Sequence, residues 1–164
     1  MKTLSFLLSL AALAAANPVE VRQLRGRVGT TATEFSDGGC RDIIMLFARG
    51  STEVGNMGVI CGPPTANGLK SNFGANAVAV EGIEYGARVA TNLLPGGADP
   101  AGIREMQRLI QQAVTQCPDS KLVVGGYSQG AALTHRAVED LPQAQKDRIV
   151  AAFTFGDTQN EQVG

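Results

Sequence analysis

The pentapeptide Gly126-Tyr127-Ser128-Gln129-Gly130 places a serine between two glycines, in the pattern G-x-S-x-G. In this pattern the serine occupies a strained turn from a strand into a helix, whose neighbours leave no room for larger side chains. The local sequence fits such a turn, because an apolar run at 122–124 precedes it and an alanine-rich run at 131–138 follows it. The pattern therefore predicts Ser128 as a nucleophile that forms an acyl-enzyme.

Attack by a serine on a carbonyl carbon creates an oxyanion, which needs hydrogen-bond donors. The backbone N–H of Gln129, at the start of the predicted helix, is one donor, and the helix dipole favours negative charge there. Such folds usually take a second donor from the loop after an early strand, and Ser51 lies in the polar loop 49–53 behind the apolar run 42–47. On the pattern alone, Ser51 is either this donor or a serine that caps a helix.

A serine nucleophile also needs a base, and His135 is the only histidine of the chain. Seven residues along one helix separate it from Ser128 by ~10 Å, whereas a hydrogen bond needs ~3 Å. The spacing therefore predicts an ordinary helix histidine. Asp157 follows the last apolar run, a position where α/β sheets carry functional side chains, and is a candidate acid on that ground.

The elements that would hold these residues follow from hydrophobic patterning. Four short apolar runs predict buried strands at 42–47, 77–83, 121–126 and 148–156. Asp99-Pro100 predicts a capped helix start, and apolar residues recur behind it every three to four positions. Strands that alternate with helices predict an α/β fold with a parallel sheet covered on both faces.

The ends and the composition limit the classes of function. Residues 1–16 predict a secretory signal peptide, residues 17–30 a pro-segment or flexible lead-in, and residues 31–164 one domain. The N-terminal apolar run is too short to cross a bilayer, so no membrane span is expected. The net charge of -1 and the lack of a basic patch argue against nucleic acid. No CxxC pair and one histidine predict no metal site.

Two segments together resemble a known family. Residues 118–130, PDSKLVVGGYSQG, are similar to the active-serine signature of the fungal cutinases, and residues 48–53, ARGSTE, to their oxyanion loop. The resemblance implies a three-layer α/β-hydrolase sandwich with a mainly parallel central sheet. It also implies these roles: Ser128 as nucleophile, Ser51 and Gln129 as the oxyanion hole, Asn92 as support for Ser51, a Cys40–Cys117 disulfide, and Cys61 as the unpaired thiol.

The resemblance further implies that the C-terminal part of the family pattern is missing. Cutinases carry their catalytic aspartate and histidine farther along, so Asp157 is not expected to be the acid and this chain is expected to be inactive alone. A last strand and a C-terminal helix would also be absent. The segment 149–155 would then form a long apolar edge that attracts other chains.

The predicted function is a secreted serine esterase that hydrolyses cutin-like polyesters or short-chain esters, without a cofactor and as a monomer when full length. Apolar residues at the mouth of the site, Val59, Leu93 and Leu94, are candidates to seat an acyl chain or are plain loop packing. One alternative is an acetylxylan esterase, although the chain has no tryptophan and two tyrosines for a sugar platform. The other is a non-catalytic secreted protein that keeps the fold.

Overall fold

The computed structural model of the protein describes residues 26–160. The predicted signal peptide, residues 1–16, lies outside this range, as does most of the predicted lead-in at 17–30. The described end of the lead-in packs on the domain: Val28 is buried, and its backbone N–H and C=O pair with the Asn67 side chain at 2.8 and 3.0 Å. The boundaries of the domain remain a prediction.

The centre of the fold is a four-stranded sheet in which every strand pair is parallel. Each predicted apolar run forms one strand, and the sheet order is β2-β1-β3-β4. The strands are β1 (Ile43–Ala48), β2 (Val78–Gly82), β3 (Lys121–Tyr127) and β4 (Ile149–Phe155). The predicted α/β class and parallel sheet are confirmed.

Helices connect and cover the strands. They are α1 (Glu34–Gly38), α2 (Gly62–Phe73), α3 (Pro100–Gln116), α4 (Gln129–Glu139) and α5 (Gln143–Lys146), with a 3-10 helix at Val89–Leu93. The predicted start of α3 is confirmed, because the Asp99 side chain accepts a hydrogen bond from the backbone N–H of Ala101 at 2.9 Å.

The core has two parts, one on each face of the sheet. Side chains that alternate along a strand point to opposite faces. Ile44 and Leu46 of β1 accordingly pack in the cluster formed with α3 and α4, whereas Met45 and Phe47 pack in the cluster that includes Ala66 of α2. These two helix layers around one sheet make the predicted three-layer sandwich.

The two edges of the sheet differ. At β2, the N–H of Gly82 donates to Ala32 O at 2.9 Å, and the N–H of Val80 donates to the Glu34 carboxylate at 3.0 Å. At β4, the outer edge pairs with no other strand of the described residues, and Val150 is 60 % exposed. The apolar edge predicted for 149–155 is therefore present.

A disulfide joins Cys40 and Cys117, whose Cα atoms are 5.4 Å apart. Cys40 precedes β1, and Cys117 ends α3, so the bond ties the entry of the central strand to the segment that leads into β3. Cys61 is a free thiol at the start of α2. The predicted Cys40–Cys117 disulfide is confirmed.

Candidate active site

Ser128 lies on the turn between β3 and α4, at the carboxyl end of the sheet. Its backbone has φ 54° and ψ −118°, outside the favoured regions for a residue with a side chain. Its N–H donates to Phe155 O of the neighbouring strand at 2.8 Å, which anchors the turn. Strain of this kind persists where the surrounding structure imposes it, and here that structure holds the half-buried serine at the carboxyl end of β3.

The two glycines of the motif are required by close backbone contacts. A Cβ atom on Gly126 would lie 2.0 Å from the carbonyl oxygen of Gly130. A Cβ atom on Gly130 would lie 2.1 Å from the carbonyl oxygen of Ala48, at the end of β1. Neither position has room for any other residue, so the turn packs directly against the start of the 49–53 loop.

A buried arginine shapes the 49–53 loop from inside. Arg49 donates from Nε to Glu53 O at 2.8 Å and from Nη2 to Tyr85 O at 2.7 Å. Its guanidinium also stacks 5.0 Å from the centre of the Tyr85 ring, while the Tyr85 hydroxyl donates to Arg49 O. Burial raises the pKa of Tyr85, so this hydroxyl stays protonated and remains a donor.

Ser51, Asn92 and Gln129 form a hydrogen-bonded chain. Asn92 donates from Nδ2 to Ser51 Oγ at 3.1 Å. Gln129 is fully buried and donates from Nε2 to Asn92 Oδ1 at 2.7 Å and to Arg88 O at 2.9 Å. Since Ser51 Oγ accepts from Asn92, its own O–H remains available to donate elsewhere.

An open cavity of about 410 Å³ adjoins Ser128. Ser51 lines the same cavity, and the opposite wall carries apolar side chains. The lining residues are Ser51, Thr52, Glu53, Val54, Val59, Ile60, Tyr127 and Ser128. Val59, one of the predicted acyl-contacting residues, therefore faces this space, whereas Leu93 and Leu94 do not line it and Leu93 is 88 % exposed.

His135 and Asp157 contact each other, which their positions in the sequence do not indicate. His135 Nδ1 lies 3.0 Å from Asp157 Oδ2, and Asp157 Oδ1 accepts from the N–H of Gln159 at 2.9 Å. No hydrogen bond within residues 26–160 joins His135 to Ser128. This contact joins the segment after β4 to the middle of α4.

Sequence reasoning assigned no role to Glu53, although it stands two residues after Ser51. Its carboxylate accepts hydrogen bonds from three backbone N–H groups around the cavity. No local pattern indicates this, because two of the donors lie six and seven residues further along the chain, in a loop without periodicity.

The part of the chain that the structure describes offers no group of three His, Cys, Asp or Glu side chains that could hold a metal ion. None of the helices within residues 26–160 has both the length and the apolar character needed to cross a membrane.

A family model described as Cutinase matches residues 39–163. The chain belongs to the cutinase family. The matched range includes the Ser128 turn, the 49–53 loop and all four strands, so every element of the candidate site lies within the cutinase domain.

Curated relatives carry the same name. Cutinase CUT2 of Pyricularia oryzae is 53% identical over 156 residues, which are 94% of this chain and 72% of that protein. Cutinase 2 of Fusarium vanettenii is 45% identical over 99% of this chain and 74% of its own length. Probable cutinase 1 of Aspergillus niger is 40% identical, and the match spans 99% of this chain and 64% of that protein.

Solved structures agree on the cutinase fold. Trichoderma reesei cutinase in complex with a C11Y4 phosphonate inhibitor superposes with a TM-score of 0.72 at 33% identity, over 88% of this chain and 62% of that one. An acetyl xylan esterase superposes with a TM-score of 0.56 at 23% identity, over 72% of this chain and 64% of that one. At this identity, the similarity to the acetyl xylan esterase shows a shared fold and nothing further.

Proposed function

We propose that this protein is a secreted esterase of the cutinase type that cleaves carboxylic esters through Ser128. The observation that carries the proposal is the position of Ser128, held in a strained strand-to-helix turn and facing the same cavity as Ser51. Strained residues of this kind concentrate at functional sites.

In the proposed reaction, Ser128 Oγ attacks the ester carbonyl carbon and its proton passes to a base. The oxyanion that forms accepts hydrogen bonds from the backbone N–H of Gln129 and from Ser51, whose O–H is left free by Asn92. Collapse of this intermediate expels the alcohol, which takes up the proton held by the base, and leaves an acyl-enzyme. Water then attacks the acyl-enzyme and gives a proton to the base, which returns it to Ser128 Oγ as the acid departs.

The base is not assigned to His135. The 164 residues contain one histidine, and its Nδ1 is engaged by Asp157. We therefore expect no ester turnover by this chain without an added base. Free imidazole is small enough to enter the open cavity of about 410 Å³ and can accept the Ser128 proton there.

The proposed substrate is an aliphatic ester such as a cutin-like polyester. Val54, Val59 and Ile60 line the cavity and provide an apolar wall for an acyl chain. An acetylxylan esterase acts on a carbohydrate, and the only aromatic residue among the lining residues is Tyr127. Parallel assays on an acetylated xylan and on a short-chain or polyester substrate distinguish the two activities.

The test is a nitrophenyl butyrate assay with and without imidazole, on the wild-type protein and on Ser128→Ala. We expect imidazole to accelerate hydrolysis by the wild-type protein above the rate measured with Ser128→Ala, which corrects for hydrolysis by imidazole itself. His135→Gln is the matched control and should respond as the wild type does. Equal rates for wild type and Ser128→Ala would reject Ser128 as the nucleophile.

A fluorophosphonate probe separates this proposal from a non-catalytic binding protein. Covalent labelling requires an activated serine, so imidazole-dependent labelling of wild type that is lost in Ser128→Ala supports an esterase. Absence of label with imidazole present would support a non-catalytic protein.

A further inference from the structure

We propose that Glu53 is a positioning residue, whose carboxylate holds the oxyanion loop and the apolar wall of the cavity as one unit. The inference rests on the proposed function, because it assigns the consequence of this contact to ester hydrolysis at Ser128. Glu53 itself touches backbone and not the reacting atoms, so it acts through the residues that it orients.

The Glu53 carboxylate accepts three backbone hydrogen bonds from two separate segments. The N–H of Gly50 donates to Oε2 at 2.7 Å, which fixes the residue directly before Ser51. The N–H groups of Val59 and Ile60 both donate to Oε1 at 2.9 Å. Bonds to an ionised acceptor are stronger than those between neutral groups, so this carboxylate is a firm link between the two segments.

Two glycines provide the space for this carboxylate. A Cβ atom on Gly58 would lie 2.4 Å from Glu53 Oε2. Gly58 also has φ 71°, in the left-handed region that favours glycine. A Cβ atom on Gly50 would lie 2.7 Å from the Tyr127 ring and 3.2 Å from Glu53 Oε2. The backbone on both sides therefore approaches the carboxylate closely enough for direct bonding.

The hydrogen bonds to Glu53 matter because the side chains that form the apolar wall of the cavity make little packing contact of their own. Val59 and Ile60 line the cavity, yet they are 56% and 55% exposed. Their backbone bonds to Glu53 therefore determine where these side chains stand relative to Ser51. An acyl chain that contacts them is placed at a fixed distance from the oxyanion donors, and small misplacements of a substrate reduce turnover strongly.

The test compares Glu53→Gln and Glu53→Ala with the wild type and with Glu105→Gln. Glu105 is a matched control, since it lies on α3 and pairs with Arg108 away from the cavity. In Glu53→Gln one carboxylate oxygen is replaced by an NH₂ group, which cannot accept a hydrogen bond. Glutamine can therefore keep the bond to Gly50 or the bonds to Val59 and Ile60, but not both. Glu53→Ala removes all three hydrogen bonds.

The first readout is amide hydrogen exchange by NMR, which does not depend on activity. We expect faster exchange at Gly50, Val59 and Ile60 in Glu53→Ala, and in only part of this set in Glu53→Gln. Glu105→Gln should leave all three unchanged. Unchanged exchange in Glu53→Ala would overturn the proposal.

The second readout is imidazole-activated hydrolysis of acetate and butyrate esters, measured below the unfolding temperature of each variant. We expect kcat to fall by about 100-fold in Glu53→Ala and less in Glu53→Gln, with a smaller preference for butyrate over acetate. A purely structural role would lower the unfolding temperature and leave kcat of the folded protein unchanged, which would overturn the positioning role. Failure of the wild type to hydrolyse either ester would reject the proposed function, and the exchange data would still test the link.

Discussion

Gln129 Nε2 lies 2.7 Å from Asn92 Oδ1, and Asn92 Nδ2 lies 3.1 Å from Ser51 Oγ. Gln129 thus connects to both sides of the proposed oxyanion hole, through its backbone N–H and through its side chain. The bond from Gln129 also fixes the orientation of the Asn92 amide, because only the oxygen of that amide can accept. Asn92 must then present its NH₂ to Ser51.

Replacing Asn92 with alanine removes this support for Ser51. We expect kcat of the imidazole-activated hydrolysis to fall by about 10- to 100-fold, with a small change in KM, because Asn92 orients Ser51, and Ser51 stabilises the oxyanion rather than the ester ground state. Asn72→Ala is the control, since the exposed Asn72 side chain donates to Gly68 O of its own helix, α2. A wild-type kcat in Asn92→Ala would show that Ser51 does not depend on Asn92.

Gly130→Ala tests the contact between the Ser128 turn and β1. The added methyl group would lie 2.1 Å from Ala48 O, a backbone atom that cannot rotate away, so we expect the free energy of unfolding to fall by about 3 kcal/mol or more. Gly68→Ala is the matched control. Nothing lies within 4 Å of its Cβ position on α2, and there we expect a gain of up to about 1 kcal/mol. Denaturant unfolding measures both changes, and equal effects would contradict the packing argument.

Removal of the Cys40–Cys117 disulfide should lower the free energy of unfolding by about 4 kcal/mol, because the bond closes a loop of 77 residues in the unfolded chain. The measurement is urea unfolding of Cys40→Ala/Cys117→Ala against its parent, with Cys61→Ser in both proteins to prevent exchange of disulfides. Reductant should destabilise only the parent. A parent that does not respond to reductant would mean that the bond is not formed.

Cys61 should react slowly with alkylating reagents. Burial raises the pKa of its thiol, and the negative charge of Glu53 raises it further, so less thiolate is present at any given pH than in a free cysteine peptide. The pH at which the alkylation rate reaches half its maximum should therefore exceed that of the peptide. Glu53→Gln should lower this midpoint while leaving it above the peptide value. A midpoint at or below the peptide value would contradict the effect of burial.

Local sequence signals predicted the elements that carry Ser128, but not every helix. Strands β1 to β4 were evident because each is a short apolar run, and α3 because Asp99 and Pro100 mark its start. Helix α2 also has prolines in its first turn, but its N-cap residue Cys61 makes no side-chain cap hydrogen bond, and the helix buries only Gly62, Ala66 and Lys70, so it shows no recurring apolar face. Its start packs closely on the preceding turn: a Cβ atom on Gly62 would lie 2.1 Å from Met57 O.

In the candidate site too, residues with local sequence signals could be predicted and residues that depend on distant contacts could not. Ser128 could be predicted because the strand, the turn and the helix are adjacent in the sequence. Glu53 could not, because its role depends on how the loop that holds Val59 and Ile60 folds back over it. The contact between His135 and Asp157 could not be predicted either, because 22 residues separate them and the contact depends on the end of β4 lying beside α4.

The two edges of the sheet differ in whether they can accept another strand. The segment that contains Ala32 and Glu34 already occupies the backbone edge of β2, so a further strand, from this chain or another, would join beside β4. A parallel strand added there would end on the same side of the sheet as Ser128. The residues after such a strand would therefore emerge toward the proposed nucleophile, and the open edge is a route by which an added segment can bring side chains to Ser128.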